Sequence, residues 1–363
     1  MNDRAAWRML DAAADRASEG LRVAGEVVRF FLADAALTAR LRDLRQALWS
    51  VLAEIPAARA RMVDARDSVH DPGRDLPGPP RSADAALLFS TNLHRAQESL
   101  RCIEEVLRAL APAQAAPITD LRYQCYELEK DAAPALATFD KRRKLDFELY
   151  VVTGAAQSRG RGHLEVVAAA LAGGAGCIQL RDKHLPARQL LPLARDVAAL
   201  CRERNATFIV NDHIDVALSA GADGVHLGQD DFPLSEARAI VGMGMILGAS
   251  THSLDQARRA EAEGADYLNV GPVFPTQTKE GGVTPVGVEL ITAVKNAVTT
   301  PQTCMGGINA DNVAQVIKAG AERVAVVSAV VGAPDVAGAA RDLLARIRAA
   351  KAARKPVAAG PRQ

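Results

Sequence analysis

Residues 177–183, Cys-Ile-Gln-Leu-Arg-Asp-Lys, form a short β-prone run that ends in charged side chains. Eight such runs alternate with helical stretches in the second half of the chain, at Phe147–Val152, Cys177–Asp182, Phe208–Asp212, Gly224–Gly228, Met245–Ser250, Tyr267–Gly271, Gln302–Gly307 and Arg323–Val330. A doubly wound sheet seldom uses so many evenly spaced units, whereas eight strands and helices complete a barrel. The pattern therefore predicts an α/β fold, a (β/α)₈ TIM barrel, over residues 145–350.

The first half of the chain has a helical period and an internal repeat. A shift of 79 positions (95 − 16) aligns Arg16–Arg22 with Arg95–Arg101, and Glu26–Arg29 with Glu105–Arg108. At 100° per residue each copy has one apolar face, formed by Leu21, Ala24, Val28 and Phe31 or by Leu100, Ile103, Leu107 and Leu110. We therefore predict a separate all-α domain with an internal duplication over residues 1–138.

Other segments mark boundaries. The Pro/Gly-rich residues 71–80 predict a loop, and Lys141-Arg142-Arg143-Lys144 predicts a charged junction between the two domains. A last helix is expected from about Asp335 to Lys351, followed by a disordered tail over residues 351–363.

Composition narrows the class of protein. The 363 residues are 49% hydrophobic with a formal charge of +1, which gives no reason to expect nucleic-acid or membrane partners. Five cysteines without CxxC spacing predict neither a disulfide framework nor a zinc site, and no apolar signal region opens the chain. We expect a cytoplasmic protein. The sequence does not determine its oligomeric state, and a homo-oligomer is possible.

Charged residues follow three consecutive predicted strands. Arg181 and Lys183 end the second strand, Asp212 ends the third, and Asp231 follows the fourth. In a (β/α)₈ barrel the strand ends converge on the active site, and carboxylates are the ligands that Mg²⁺ prefers. An aspartate at such a turn often caps a helix instead. Two aspartates beside two cations favour a magnesium–diphosphate site.

A second group of anion donors follows the later strands. Thr276-Gln277-Thr278-Lys279 offers hydroxyls and a cation after strand six, and Gly306-Gly307 allows close backbone approach after strand seven. Phosphate sites of barrels often lie after strands seven and eight, where Val327-Ser328 stands. One diphosphate and one monophosphate site together predict group transfer between two phosphorylated substrates.

These motifs, in this order, resemble the thiamine phosphate synthase family over residues 145–350. The resemblance implies condensation of a hydroxymethylpyrimidine diphosphate with a thiazole phosphate, with Mg²⁺ bound by Asp212 and Asp231. It implies that the pyrimidine diphosphate is held by Gln179, Leu180, Arg181, Asp182, Lys183, Asn211, Ser250 and Lys279, of which Arg181, Lys183 and Lys279 are catalytic. It implies that the thiazole phosphate is held by Thr276, Gln277, Thr278, Gly307, Val327 and Ser328. The chain departs from the family pattern at Asn269, where a smaller residue is usual, and we expect a narrower pocket there.

The first half resembles a helical domain associated with hydroxymethylpyrimidine phosphate kinase activity, through Arg16, Glu19-Gly20-Leu21-Arg22, Arg95, Glu98 and Arg101. The resemblance implies ATP as a second small-molecule substrate. No GxxxxGK[ST] phosphate loop is present, so a non-catalytic dimerisation or scaffold domain is an open alternative. A thiazole tautomerase-like barrel is the alternative for the second half, but that chemistry has no use for Lys183 or the two aspartates.

Overall fold

The chain divides into two compact units, residues 1–140 and 141–363, each with its own hydrophobic core. The computed structural model describes residues 3–67, 69–70, 84–276 and 284–354. Within those ranges no helix is both long enough and apolar enough to span a bilayer. The predicted fold class, a parallel (β/α)₈ barrel preceded by a separate helical region, is confirmed.

Helices dominate the first unit. Those described are α1 (Asp3–Val27), α2 (Ala35–Ala53), α3 (Ala58–Ala65), α4 (Ala85–Leu110) and α5 (Ala115–Lys144), with a π-helical turn at Val28–Leu32 and a 3₁₀ turn at Pro112–Gln114. Aspartate caps fix two of the helix starts, because Asp34 and Asp84 each accept a hydrogen bond from a backbone N–H three residues later.

The first copy of the repeat lies in α1 and the start of the π-helical turn, and the second copy lies in α4. α1 and α4 pack against each other. Their approach is close: a Cβ on Gly20 would lie 2.5 Å from the carbonyl oxygen of Asn92, so this crossing requires glycine. The apolar faces predicted from the repeat are largely buried, at Leu21, Ala24, Val28, Leu100, Ile103 and Leu107. The duplication therefore builds the centre of the helical core.

Phe31 departs from that prediction, because its side chain is 46% exposed. The α-helical period ends at Val27, and the π-helical turn that follows has more residues per turn. Residues beyond Val28 therefore rotate away from the face that a 100° period predicts. The Phe31 ring lies instead edge-on to Phe139, with ring centroids 5.7 Å apart.

The predicted junction at residues 141–144 is the last helical turn of α5. Lys141 is buried there, and its Nζ donates to Asp266 Oδ1 at 2.6 Å. Asp266 also accepts from Arg238 and from the backbone N–H of Leu247. The charged residues do not form a solvated linker, because one of them is part of the interior of the second unit.

The second unit is a closed barrel of eight parallel strands in chain order. The strands are β1 (Leu149–Val152), β2 (Cys177–Leu180), β3 (Thr207–Asn211), β4 (Gly224–Leu227), β5 (Ile246–Thr251), β6 (Tyr267–Val270), β7 (Gln302–Cys304) and β8 (Arg323–Val326). The helices are α6 (His163–Ala172), α7 (Ala187–Glu203), α8 (Ile214–Ala220), α9 (Leu234–Val241), α10 (Leu254–Ala262), α11 (Glu289–Ala297), α12 (Val313–Lys318), α13 (Ser328–Val331) and α14 (Val336–Ala353). Each strand overlaps one predicted from the sequence.

Several predicted bounds in the barrel are wrong, and β7 ends at Cys304, three residues before the predicted Gly307. The eighth strand was expected to reach Val330, but Val327 leaves the extended conformation at φ −114° and ψ −87°, and Ser328 begins α13. α14 continues to Ala353, three residues into the predicted tail, where Lys351 pairs with Glu148 at 3.0 Å. Residues 71–80 and 355–363, predicted as loop and tail, lie outside the described residues.

Candidate active site

A cavity of about 160 Å³ opens at the C-terminal ends of the strands, where (β/α)₈ barrels carry their active sites. Most residues predicted from the sequence line it. They are Gln179, Arg181, Lys183, Asn211, Asp212, Asp231, Ser250, Thr276, Gly307, Val327 and Ser328. One cavity thus brings together groups from most of the strands of the barrel.

The remaining predicted residues are placed differently. Leu180 points away from the cavity into the core between strands and helices. The Asp182 carboxylate accepts hydrogen bonds from the backbone of His184 and Leu185 at 2.8 and 2.9 Å, and it contacts His163. Burial raises the pKa of Asp182, but these contacts outweigh it and lower the pKa overall. Asp182 therefore shapes the loop after β2. Gln277, Thr278 and Lys279 lie outside the described residues.

The pleat of β2 and the loop after it explain the placement of the cations. Successive side chains of a strand point to opposite faces, so Gln179 and Arg181 reach the cavity while Leu180 does not. Thr153 holds the backbone at this point, since its Oγ1 accepts from the N–H of Arg181 at 2.9 Å. The guanidinium group is therefore carried by a fixed backbone.

A carboxylate pair lies beside Lys183. Lys183 forms an ion pair with Asp212, and Asp231 is close enough to share a hydrogen bond with Asp212. Burial and Asp231 raise the pKa of Asp212, against the effect of Lys183. Burial alone would raise the pKa of Asp231, but Asp212 and the N–H of Gly228 lower it overall. Two carboxylates this close together disfavour each other's negative charge, so a cation bound between them would be stabilised.

Backbone geometry holds this pair in place. Asp212 has φ 63°, a conformation uncommon for residues other than glycine and often found at functional sites. Asp231 is fixed by the Gly228 N–H, which donates to its Oδ2 at 2.7 Å. No group of three or more His, Cys, Asp or Glu suited to a metal occurs in the described ranges. Two carboxylates do suit Mg²⁺, which usually completes its octahedron with phosphate and water.

A buried hydrogen-bond network lies beneath the cavity. Gln179 Nε2 donates to the hydroxyl of Tyr150 at 2.7 Å, and the hydroxyls of Tyr150 and Tyr267 are 2.9 Å apart. The Tyr267 hydroxyl is also 2.9 Å from His226 Nδ1, and His226 Nε2 is 3.0 Å from Ser250 Oγ. Burial raises the pKa of both phenols, so both are neutral. The network connects Gln179 to Ser250 across the barrel.

This network is not encoded in any local sequence pattern. Tyr150 and Tyr267 are 117 positions apart, and only the closed barrel brings them together. One signal was available in the sequence. Both tyrosines and His226 lie in predicted strands, and the hydroxyl or ring nitrogen of a buried side chain needs a hydrogen-bond partner. His252, whose Nδ1 contacts the carbonyl oxygen of Gly271, also lines the cavity and was not predicted.

Tyr267→Phe tests whether the network positions Gln179 and Ser250. The ring stays, but the hydroxyl that connects Tyr150 to His226 is lost. We therefore expect KM to rise about tenfold for the pyrimidine diphosphate that the sequence resemblance implies at Gln179 and Ser250. KM for the second substrate that the resemblance implies, a thiazole phosphate, should remain within about twofold. Tyr123→Phe, at an exposed tyrosine of the helical unit, is the control. An equal rise in both KM values would indicate general loss of structure.

The wall after β7 requires glycine. Gly306 has φ 98° and Gly307 has φ 64°, and a Cβ on Gly307 would lie 2.6 Å from the carbonyl oxygen of Pro275. Side-chain-free backbone therefore faces the cavity here. Ser328, the first residue of α13, lies in the same wall.

Asn269 lies in the cavity wall on β6. Its Oδ1 accepts from Thr303 Oγ1 at 2.9 Å, and its Nδ2 is 3.5 Å from Met305 Sδ. Thr303 therefore fixes the orientation of the amide, which occupies space that a smaller residue would leave open.

In the helical unit the charged residues of the repeat converge only in part. Arg22 donates to Glu19 at 2.7 and 3.0 Å. The hydrogen bond from Arg22 lowers the pKa of Glu19 most, burial opposes it, and the charges of Arg45 and Arg95 lower it further. Arg16 donates to the carbonyl oxygen of its own helix, at Ala12. The Glu19 carboxylate is thus near arginines of α1, α2 and α4.

Comparison with known proteins also divides the chain into a helical part and a barrel. The model of a family described as thiamine monophosphate synthase matches residues 149–330, and that of the ThiD2 family matches residues 8–131. A thiamine-phosphate synthase of Gloeobacter violaceus is 42% identical over 331 residues, which cover 90% of this chain and 93% of the relative. The chain belongs to the thiamine-phosphate synthase family. Its members are transferases of thiamine biosynthesis, and the barrel is the part that carries the family match.

Other members of the thiamine-phosphate synthase family match about half of this chain. The relative from Moorella thermoacetica is 52% identical over 197 residues, which cover 54% of this chain and 94% of the relative. A solved structure, that of a thiamine phosphate pyrophosphorylase from Pyrococcus furiosus, is 40% identical to this chain and matches it with a TM-score of 0.52. The match covers 56% of this chain and 96% of the Pyrococcus furiosus chain. Synthases without a helical half of this length therefore occur among the relatives.

Proposed function

We propose that the barrel condenses an aminopyrimidine methyl diphosphate with a thiazole phosphate to give thiamine phosphate and pyrophosphate. The observation that carries this substrate assignment is the composition of one cavity. Its wall contains two cations, Arg181 and Lys183, beside the Asp212–Asp231 pair. The same cavity has the glycine wall at Gly306–Gly307.

The reaction follows from these groups. The bond between the pyrimidine methylene and the diphosphate oxygen breaks, and Arg181 and Lys183 stabilise the charge that collects on the leaving pyrophosphate. The electron-rich aminopyrimidine carries the developing positive charge, while Gln179 and Ser250 orient the ring. The ring nitrogen of the thiazole then forms the new C–N bond through its own lone pair, so no general base is needed.

Asp212 and Asp231 are proposed to bind Mg²⁺. The support for this proposal is that the two carboxylates lie next to each other, beside Lys183. When bound, the ion supplies further charge neutralisation for the diphosphate. Asn211 is proposed to contact the same substrate. Thr276, Gln277, Thr278, Gly307, Val327 and Ser328 are proposed to hold the thiazole phosphate, and Lys279 is proposed to contact the diphosphate.

The helical unit is proposed to phosphorylate the pyrimidine monophosphate with ATP, which would make the diphosphate that the barrel consumes. The ThiD2 match and the arginines around Glu19 support this proposal. A dimerisation or scaffold domain is the competing role. A tautomerase-like barrel is a weaker alternative: His252 supplies a proton-transferring group, but the carboxylate pair would be unused.

Product analysis of the purified full chain tests both units. With pyrimidine monophosphate, ATP, Mg²⁺ and thiazole phosphate, we expect thiamine phosphate to form, and Arg95→Ala to abolish its formation from this mixture. With preformed diphosphate in place of the monophosphate and ATP, Arg95→Ala should retain the wild-type rate. If no product formed with preformed diphosphate, the barrel assignment would be contradicted. If product formed with preformed diphosphate but not with the monophosphate and ATP, the scaffold role would be favoured.

A further inference from the structure

A second cavity lies in the helical unit, between the C-terminal half of α2 and the start of α3. Its volume is about 550 Å³, within the range of roughly 300–1,000 Å³ typical of small-molecule sites. Three arginines line it, Arg42, Arg45 and Arg59, and none of the described residues of its lining is acidic. Such a cavity has a net positive charge and favours an anionic ligand.

The arginines of this cavity form few or weak ion pairs with the described residues. Arg42 pairs with the adjacent Asp43 at 3.2 Å, and both side chains are well exposed. Arg45 is half-buried, and its charge reaches Glu19 without forming an ion pair within 4.0 Å in the described part of the chain. Arg59 is exposed at the first turn of α3, a helix without a side-chain cap. Guanidinium groups placed in this way suit the oxygens of a phosphate.

The other side of the cavity suits a planar ring. The indole N–H of Trp49 donates to Ser18 Oγ at 3.2 Å, so the edge of the ring is held while 37% of the residue is exposed. Gln46, one turn earlier on the same helix, adds an amide, and Leu52 and Met62 add apolar surface. An aromatic face beside arginines is suited to a phosphorylated heterocycle.

We propose that this α2–α3 cavity is where the helical unit binds the phosphate and ring of a phosphorylated planar heterocycle. The inference rests on the proposed kinase role, and it moves the ligand site from the α1–α4 repeat to the neighbouring helices. Trp49 connects the two places, because its indole N–H donates at 3.2 Å to the hydroxyl of Ser18, which lies in the repeat on α1 next to Glu19. The repeat then forms one edge of the site, and α2 and α3 form its base.

Trp49 fluorescence can report binding in the full chain. The protein has only two tryptophans, Trp7 and Trp49, and both lie in the helical unit, so ligands of the barrel are not seen directly. Trp7→Phe makes Trp49 the sole reporter and removes no hydrogen bond, since Trp7 Nε1 has no partner among the described residues. Titrations with pyrimidine monophosphate, ATP and inorganic phosphate separate the two heterocycles from free phosphate.

We expect saturable quenching by at least one of the two heterocyclic phosphates. Arg45→Gln and Arg59→Gln should each raise its Kd about tenfold or more. Arg29→Gln, at an exposed arginine that lies over the Phe30 ring, removes the same charge and should leave Kd within about twofold. Inorganic phosphate should compete. Unchanged far-UV circular dichroism and an unchanged urea unfolding transition of the helical unit confirm that each variant is folded.

Absence of saturable quenching, or an equal loss in Arg29→Gln, would overturn the site. Phosphate transfer from ATP is measured separately, so that the two proposals fail independently. Binding that depends on Arg45 and Arg59 without any transfer would contradict the kinase and leave the site standing. Transfer that is unchanged in the Arg45→Gln/Arg59→Gln double variant would retain the kinase and refute this location.

Discussion

Asp231→Asn is expected to lower magnesium-dependent turnover by about a hundredfold or more with little change in stability. The substitution keeps the shape of the side chain, and an amide oxygen can still accept from the Gly228 N–H, which is 2.7 Å from Asp231 Oδ2 in the wild type. What is lost is a negative charge beside Asp212 and Lys183. Turnover measured against Mg²⁺ concentration should show both a lower maximum and a weaker apparent affinity for the ion.

Two further substitutions distinguish a metal ligand from a charge that merely lies nearby. Asp230→Asn removes the neighbouring carboxylate, which is exposed and outside the cavity lining, and should leave turnover within about twofold. Asp182→Asn should weaken the loop after β2 without changing the dependence on Mg²⁺. If Asp231→Asn kept the wild-type response to Mg²⁺, the ion would have to bind elsewhere.

The barrel was predictable because its signal is local and repeated. Each buried parallel strand is a short apolar run, and strands from Leu149–Val152 to Arg323–Val326 follow one another in space in the order of the chain. The site residues at strand ends were predictable for the same reason. The C-terminal ends of all eight strands meet at one rim, so Arg181, Asp212 and Asp231 come together once the fold is known.

What the sequence could not predict depends on contacts between distant residues or on small changes of helical geometry. Tyr150 and Tyr267 share a hydrogen bond across 117 positions, and no local pattern encodes that pairing. Phe31 left the predicted apolar face because of one π-helical turn. The carboxylate of Asp182 resembles those of Asp212 and Asp231 in sequence, but backbone N–H groups of its own loop occupy it.

In the helical unit, the sequence repeat predicts the packing of the core better than it predicts the position of a ligand site. The duplication predicted the apolar faces of two helices, and α1 and α4 pack against each other through those faces. It did not predict the cavity, since Arg45 and Trp49 lie on α2, outside the repeated segments. The charged residues of each copy of the repeat lie along one continuous helical segment, whereas the cavity is lined by residues of both α2 and α3.

Lys141→Met in the full chain is expected to destabilise the barrel by about 3 kcal/mol, because it leaves Asp266 in the interior with one cation fewer. Lys141 Nζ is 2.6 Å from Asp266 Oδ1, and the two side chains are 7% and 16% exposed. Arg142→Met, at the adjacent exposed residue, should change stability by less than about 0.5 kcal/mol. Urea unfolding of the two variants gives the comparison.

The same contact fixes where a self-contained synthase begins. A chain from residue 140 onward keeps Lys141, the carbonyl of Lys144 that accepts from Thr207, and that of Leu145 that accepts from Arg323. It should fold and convert preformed diphosphate at close to the full-chain rate, as synthases without a helical half of this length suggest. A chain from residue 146 loses all three contacts and should unfold at a lower urea concentration. If both fragments were equally stable, Lys141 would not belong to the barrel; if the longer one were folded but inactive with Mg²⁺, catalysis would require the helical unit.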